Sequence, residues 1–280
     1  VTLSGYGRRG CRSSVPVGKC NPVIFMPRRD LGGGLPLCRS TAQSIRSDFR
    51  EKVSMKFTLM SYHYLRYPIR KYLDKMERVG LDGIDIYCTG PQLNPFDYSL
   101  GALIQLNRDI RDRHLTPYVL TAENCVYPVN LATSDLLTWE STQRYYQRLI
   151  DTAQFLECPH IQICPGTGYY DADKDEAWKR QVEAVQLLAE YAKKKGVTIF
   201  METCKITPTN LVVTSKELKQ FIDDVGADNL LGLSDTDQMS QAGEHINDYF
   251  DNLGDKYGFV HFSDLNHTIP GTGGLPMKEY

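Results

Sequence analysis

Nowhere in its 280 residues does the chain run apolar for the roughly 18 to 20 residues that a membrane-spanning helix requires, so a helical membrane protein is excluded. No two of its eight cysteines (Cys11, Cys20, Cys38, Cys88, Cys125, Cys158, Cys164 and Cys204) form a C-x-x-C pair, which argues against a cysteine zinc site. Several sit in apolar contexts such as Ile161-Gln-Ile-Cys164 and read as reduced, buried thiols of a cytoplasmic protein. Acidic residues are missing before Asp30, and the first 54 residues keep neither a helical nor a strand period. That stretch holds ten basic and three acidic residues against 22 and 31 in the rest, so the formal charge of −2 conceals a basic leader and a body of charge −9. An acidic body is a poor match for a nucleic-acid partner, because phosphate binding needs a basic surface.

What is present divides at Met55. Residues 1–54 begin with Val1 and are rich in Arg, Gly and Ser. They are expected to be a disordered leader outside the fold, either upstream sequence or a transit-type segment, which is likewise Arg- and Ser-rich and poor in acids. From Met55 to Tyr280 the hydrophobic pattern alternates between short strands and amphipathic helices. Strands are expected at Phe57–Ser61, Gly83–Tyr87, Thr116–Thr121, His160–Cys164, Gly196–Thr203, Leu230–Asp235 and Tyr257–Asp264. Helices are expected at Pro68–Val79, Tyr98–Arg113, Leu137–Glu157, Asp173–Lys195, Ser215–Val225 and Ser240–Leu253. Thr214 or Ser215 is a plausible N-cap, and Gly80 ends the first helix.

Seven β-then-α rhythms predict a parallel sheet with right-handed crossovers, and at this length the natural closure is a (β/α)8 TIM barrel. An open doubly wound sheet is the bland alternative. It calls for a Gly-rich dinucleotide loop after the first strand, and Ser61-Tyr-His-Tyr-Leu-Arg66 is nothing of the kind. Pro276-Met-Lys-Glu-Tyr280 reads as the start of a seventh helix, so the chain is expected to be a barrel lacking its last β/α unit, with unpaired edges on its first and seventh strands.

Three of the strands end in chemistry. Glu202 stands where Gly196–Thr203 runs out, Asp235 closes Leu230–Asp235, and His261 lies near the end of Tyr257–Asp264. Parallel strands would bring these ends to one face, where barrel active sites lie. Glu, Asp and His are hard-to-borderline metal ligands. Each also has a bland reading: a salt-bridged rim acid for Glu202, replacement by Asp237 two residues on for Asp235, and a satisfied core histidine for His261.

Six stretches stand out in order along the chain: Gly80-Leu-Asp-Gly-Ile-Asp-Ile-Tyr87, Met201-Glu-Thr-Cys-Lys-Ile-Thr-Pro-Thr-Asn210, Leu233-Ser-Asp235, Tyr249-Phe-Asp-Asn-Leu-Gly-Asp-Lys256, Val260-His-Phe-Ser-Asp264 and Ile269-Pro-Gly-Thr-Gly273. Through them the chain from Met55 onward resembles the xylose-isomerase-like superfamily of sugar isomerases and epimerases, near fructoselysine 3-epimerase and the D-tagatose and D-psicose 3-epimerases. The resemblance implies one divalent metal ion (Mn2+, Co2+ or Mg2+) held by Glu202, Asp235 and His261, with a further glutamate from a strand beyond Tyr280. It also implies that Glu202 is the catalytic acid/base that moves the proton next to a sugar carbonyl. Substrate contacts fall on Gln238, where the ketohexose epimerases place a histidine, on His267, where they place an arginine, and on Glu123 and His63 at strand ends. Both departures put a simple D-psicose substrate in doubt. His114, His160 and His245 read as structural or exposed. The expected partner is a small sugar or sugar derivative, in a cytoplasmic protein that is a possible homo-oligomer. Two rivals remain: an endonuclease IV-like repair nuclease, which needs more than the six histidines present and a basic face, and a barrel that binds sugar without turnover.

Overall fold

The computed structural model describes residues 22–25, 55–90, 92–122 and 129–280. In chain order the elements are β1 (Pro22–Phe25), β2 (Lys56–Met60), α1 (Ile69–Val79), β3 (Gly83–Cys88), α2 (Leu100–Arg111), β4 (Pro117–Ala122), α3 (Leu136–Phe155), β5 (His160–Ile163), α4 (Lys174–Lys194), β6 (Thr198–Glu202), α5 (Ser215–Val225), β7 (Leu230–Asp235), α6 (Thr236–Gln241), α7 (Ile246–Leu253) and β8 (Tyr257–His261). The strands neighbour one another in sequence order and close into a barrel. β2 to β8 are parallel throughout, the seven parallel strands that the β/α rhythm predicts.

Local sequence explains the ends of these elements. Thr214 caps α5 by accepting from the Glu217 amide, and Glu217 returns the bond in a capping box. Gly80 ends α1 with φ +68°, a left-handed conformation that side chains with a Cβ resist. The helix expected over Ser240–Leu253 is instead two helices. Gly243 turns the chain at φ +75°, and His245 caps α7 with its ring nitrogen. Asp235 starts α6 four residues earlier than the apolar pattern shows, because a cap rather than a hydrophobic stripe initiates it. No helix begins at Pro276; that stretch is a turn.

The closing strand differs from expectation. Residues 1–54 are expected to contribute nothing to the fold, yet β1 lies between β2 and β8, antiparallel to both, with Val23 opposite Thr58 on one side and His261 on the other. Four residues are too few to show a period, which is why the pattern conceals them. Edge strands expose unpaired N–H and C=O groups that template aggregation, and closure removes them. Removal of residues 1–54 is therefore expected to lower the thermal midpoint and promote association of 55–280. Equal midpoints and equal monodispersity of the two chains by calorimetry and light scattering would show that β1 contributes nothing.

Two apolar layers hold the barrel. Outside the sheet, Tyr72, Leu73 and Met76 of α1, Leu188, Ala189 and Ala192 of α4, and Leu218, Phe221 and Ile222 of α5 are all buried. Inside it, Val119, Phe200, Leu231, Leu233 and Phe259 form a separate cluster, with the Phe200 and Phe259 rings stacked at 5.2 Å. Strand side chains alternate between faces, so the residue two further along each strand returns to the interior. The apolar plug thus carries a polar layer above it: Thr121 beyond Val119, Glu202 beyond Phe200, Asp235 beyond Leu233 and His261 beyond Phe259.

Candidate metal centre and active site

Glu202, Asp235 and His261 all reach this layer from the ends of adjacent strands, and all three are buried. Their ligand atoms lie within 4.8 Å of one another. His261 Nδ1 is 3.0 Å from Glu202 Oε1, while Nε2 lies 3.7 Å from Asp85 Oδ2. Gln162 of β5 donates to Glu202 Oε2 at 2.5 Å, and the Cys164 thiol donates to the same oxygen at 3.5 Å. Asp235 divides its oxygens: Oδ1 accepts from the amides of Asp237 and Gln238 at 2.8 and 3.1 Å, and Oδ2 faces His267 Nε2 at 3.4 Å.

The electrostatics favour a cation. Burial alone would push the His261 imidazole down, but the Glu202 charge, with the nearby Asp85 carboxylate and the Glu202 hydrogen bond, raises it to about 10. Burial would likewise push the Asp235 carboxyl up, but the His267 hydrogen bond and charge, with His261, hold it below the usual carboxylate range. Two carboxylates and one imidazole, converging without a lysine or arginine among the described residues that line the cavity, form a donor set that fits a borderline-hard divalent ion.

The cavity is lined by Tyr62, His63, Tyr87, Gln238, Phe262 and His267 together with the buried layer. Thus His63, Gln238 and His267, expected as substrate contacts, do reach it; Glu123 falls outside the described residues. Gln238 is anchored, its Oε1 accepting from the Lys205 amide at 2.9 Å. His63 packs edge-on to Tyr62, and partial desolvation by its neighbours lowers its pKa, as does the nearby His267. His267 sits on a turn where Asn266 and His267 both have positive φ, 58° and 54°. Such backbone costs about 1–3 kcal/mol per residue and persists only where surroundings enforce it. Asp237 supplies the enforcement: wholly buried, it accepts from the Asn266 amide at 2.9 Å through Oδ1 and faces His267 Nδ1 at 3.2 Å through Oδ2. Hydrogen bonding to Asp235 raises the His267 pKa, and the charges of Asp235 and Asp237 add to it.

The remaining histidines are structural or exposed. His160 bonds the Tyr118 carbonyl and stacks on Phe200, His245 is a helix cap, and His114 is exposed on a left-handed turn. Pattern reading passed over Asp85, Gln162 and Cys164. The available signal was phase: Asp85 is a carboxylate in mid-strand among apolar neighbours, and Gln162 stands two residues from the end of an apolar run, as Glu202 stands two beyond Phe200.

Asp264 shapes the rim. Fully buried, it accepts from the amides of Leu265, Gly271 and Leu275, each at 2.8 Å. Burial would raise its carboxyl, but these amides, with that of Gly273, depress it from an ordinary 3.8 to about 2. The folded value lies below the unfolded one, so this carboxylate stabilises fully above pH 3.8 and the contribution disappears as pH falls through about 2. Asp264→Ala is expected to cost about 1–3 kcal/mol through the buried amides left unsatisfied. Chemical denaturation at pH 7 checks this, and at pH 2 the gap between variant and wild type should shrink.

The fold and this cluster define an α/β barrel with a carboxylate–imidazole centre at the carboxyl ends of its strands. Residues 73–280 match the family described as xylose isomerase-like TIM barrel, and the chain belongs to that family. Fructoselysine 3-epimerase of Shigella flexneri is 24% identical over 230 residues, covering 80% of this chain and 83% of that protein. D-psicose 3-epimerase of Enterocloster bolteae is 25% identical over 245 residues, covering 82% and 78%. Among solved structures, D-psicose 3-epimerase with D-tagatose from Clostridium cellulolyticum H10 superposes with a TM-score of 0.68 at 22% identity, covering 78% of this chain and 76% of that one, a likeness of fold.

Proposed function

We propose that this chain is an isomerase that epimerises a sugar or sugar derivative, using one divalent metal ion (Mn2+, Co2+ or Mg2+) held by Glu202, Asp235 and His261. The observation that carries this reading is the convergence of those three donors, from neighbouring strand ends, within 4.8 Å at the mouth of the barrel. Membership of the family and the activities of the two epimerase relatives support it. The ion would polarise the carbonyl and hydroxyl oxygens of the sugar.

The chain's own residues do the rest. Glu202 moves the proton on one face of the carbon beside the carbonyl, inversion requiring a second acid on the opposite face, and the Gln162 amide holds the Glu202 carboxylate in place. Gln238, with its oxygen engaged by Lys205, presents its NH2 group as a donor to the sugar. His267, seated between two aspartates that raise its pKa, faces sugar oxygens from the rim, with His63 also among the lining residues. Tyr62, Tyr87 and Phe262 give the cavity apolar walls that exclude water around the reacting carbon. The folded unit that carries this chemistry is residues 55–280, with residues 1–54 supplying the closing strand. A lining without lysine or arginine among the described residues does not favour phosphodiester cleavage.

Solvent-deuterium exchange at the carbon next to the carbonyl, on a panel of ketoses and fructosyl-amine derivatives with Mn2+ present, tests the proposal. Metal-dependent exchange on at least one is expected. Sugar binding with no exchange across the panel would leave a non-catalytic sugar-binding barrel.

A further inference from the structure

Two buried polar atoms in the barrel face one another without a hydrogen bond to anything else. Asp85 Oδ2 and His261 Nε2 are both sealed from solvent and unpartnered, 3.7 Å apart. An isolated carboxylate oxygen in such a place is costly unless a donor reaches it. The rest of Asp85 is fixed. It is 0% exposed, Oδ1 accepts from the Thr121 hydroxyl at 2.7 Å, and its backbone carbonyl accepts from the Tyr72 hydroxyl at 3.0 Å. The His261 ring is therefore strung across the barrel, with Nδ1 toward Glu202 on β6 and Nε2 toward Asp85 on β3.

We propose that Asp85 is a positioning residue: it holds the His261 Nε2–H and so turns the Nδ1 lone pair toward Glu202 and Asp235. The inference rests on the metal-centre reading above. Asp85 is not among the residues that line the cavity, so it acts through His261 and not on substrate. A metal-bound histidine generally gives its other N–H to a carboxylate or carbonyl, which fixes the tautomer and raises ligand basicity. Glu202 cannot serve as that acceptor, because it stands on the Nδ1 side. Thr121 completes the chain of contacts by preventing the Asp85 carboxylate from rotating away.

Two measurements test this. Long-range proton–nitrogen spectra of the Mg2+-loaded wild type should show His261 protonated at Nε2, with slow solvent exchange, and unprotonated at Nδ1. Calorimetric titration of Mn2+ into Asp85→Asn should give an affinity about 10–100-fold below wild type, the range for loss of such a partner, with the thermal unfolding transition still cooperative. A wild-type Nε2 without a proton overturns the proposal, as does a folded Asp85→Asn that binds Mn2+ as tightly as wild type. If wild type binds no divalent ion, the metal-centre reading fails by itself. The spectra of the metal-free protein then decide for Asp85: a slowly exchanging Nε2–H in wild type that exchanges fast in Asp85→Asn upholds its positioning role, and equal exchange removes it.

Discussion

Glu202→Gln is expected to slow deuterium exchange by about 10²–10⁴-fold, the usual cost of losing a general acid–base group. The substitution is close to isosteric. A glutamine oxygen can still accept from Gln162 and from the Cys164 thiol, so the polar layer keeps its shape. What disappears is the basic oxygen that receives the proton and the negative charge 3.0 Å from His261 Nδ1. Both losses act in the same direction, on proton transfer and on cation binding. Saturating Mn2+ separates them, because it restores occupancy but not basicity. Exchange within threefold of wild type at saturating metal, from a variant with an unaltered thermal midpoint, is the result that would refute Glu202 as the acid/base.

The second large effect is expected from removing the metal. Chelation should abolish exchange, and adding Mn2+ or Co2+ back should restore it. Stability should follow occupancy: a ligand that binds only the folded state at 100 times its Kd adds about 2.7 kcal/mol. The sign with pH is fixed by His261. Its folded imidazole holds a proton up to about 10, because Glu202 and Asp85 outweigh the effect of burial. Metal binding must release that proton, so apparent affinity should rise with pH across the neutral range. Calorimetric titrations at several pH values, in buffers of different ionisation enthalpy, count the protons released. No release, or an affinity that falls with rising pH, would place the ion away from His261.

Much of this is legible in the sequence alone. Apolar runs ending in Glu202, Asp235 and His261 indicate both the parallel sheet and the convergence of these three side chains on one face, because strand direction and side-chain alternation are set locally. The parts that were not legible depend on partners distant in the chain. Asp85 looks like an acid misplaced in a strand until Thr121 and His261 are seen beside it. β1 is four residues long and gains its identity only from the two strands it pairs with. His267 was expected to touch substrate, but its left-handed backbone and its seat between Asp235 and Asp237 come from tertiary contacts that no spacing encodes.

Asp235 commits one oxygen to the first amides of α6 and leaves the other directed into the mouth. A carboxylate tethered in this way has Oδ1 held by the helix start and Oδ2 as the oxygen it presents to the cavity. The short helix that carries Gln238 and Asp237 is therefore indexed to the same atom group that would bear the ion. A tilt of α6 would therefore carry the Asp235 carboxylate with it, so that the rim and the acidic floor are mechanically linked.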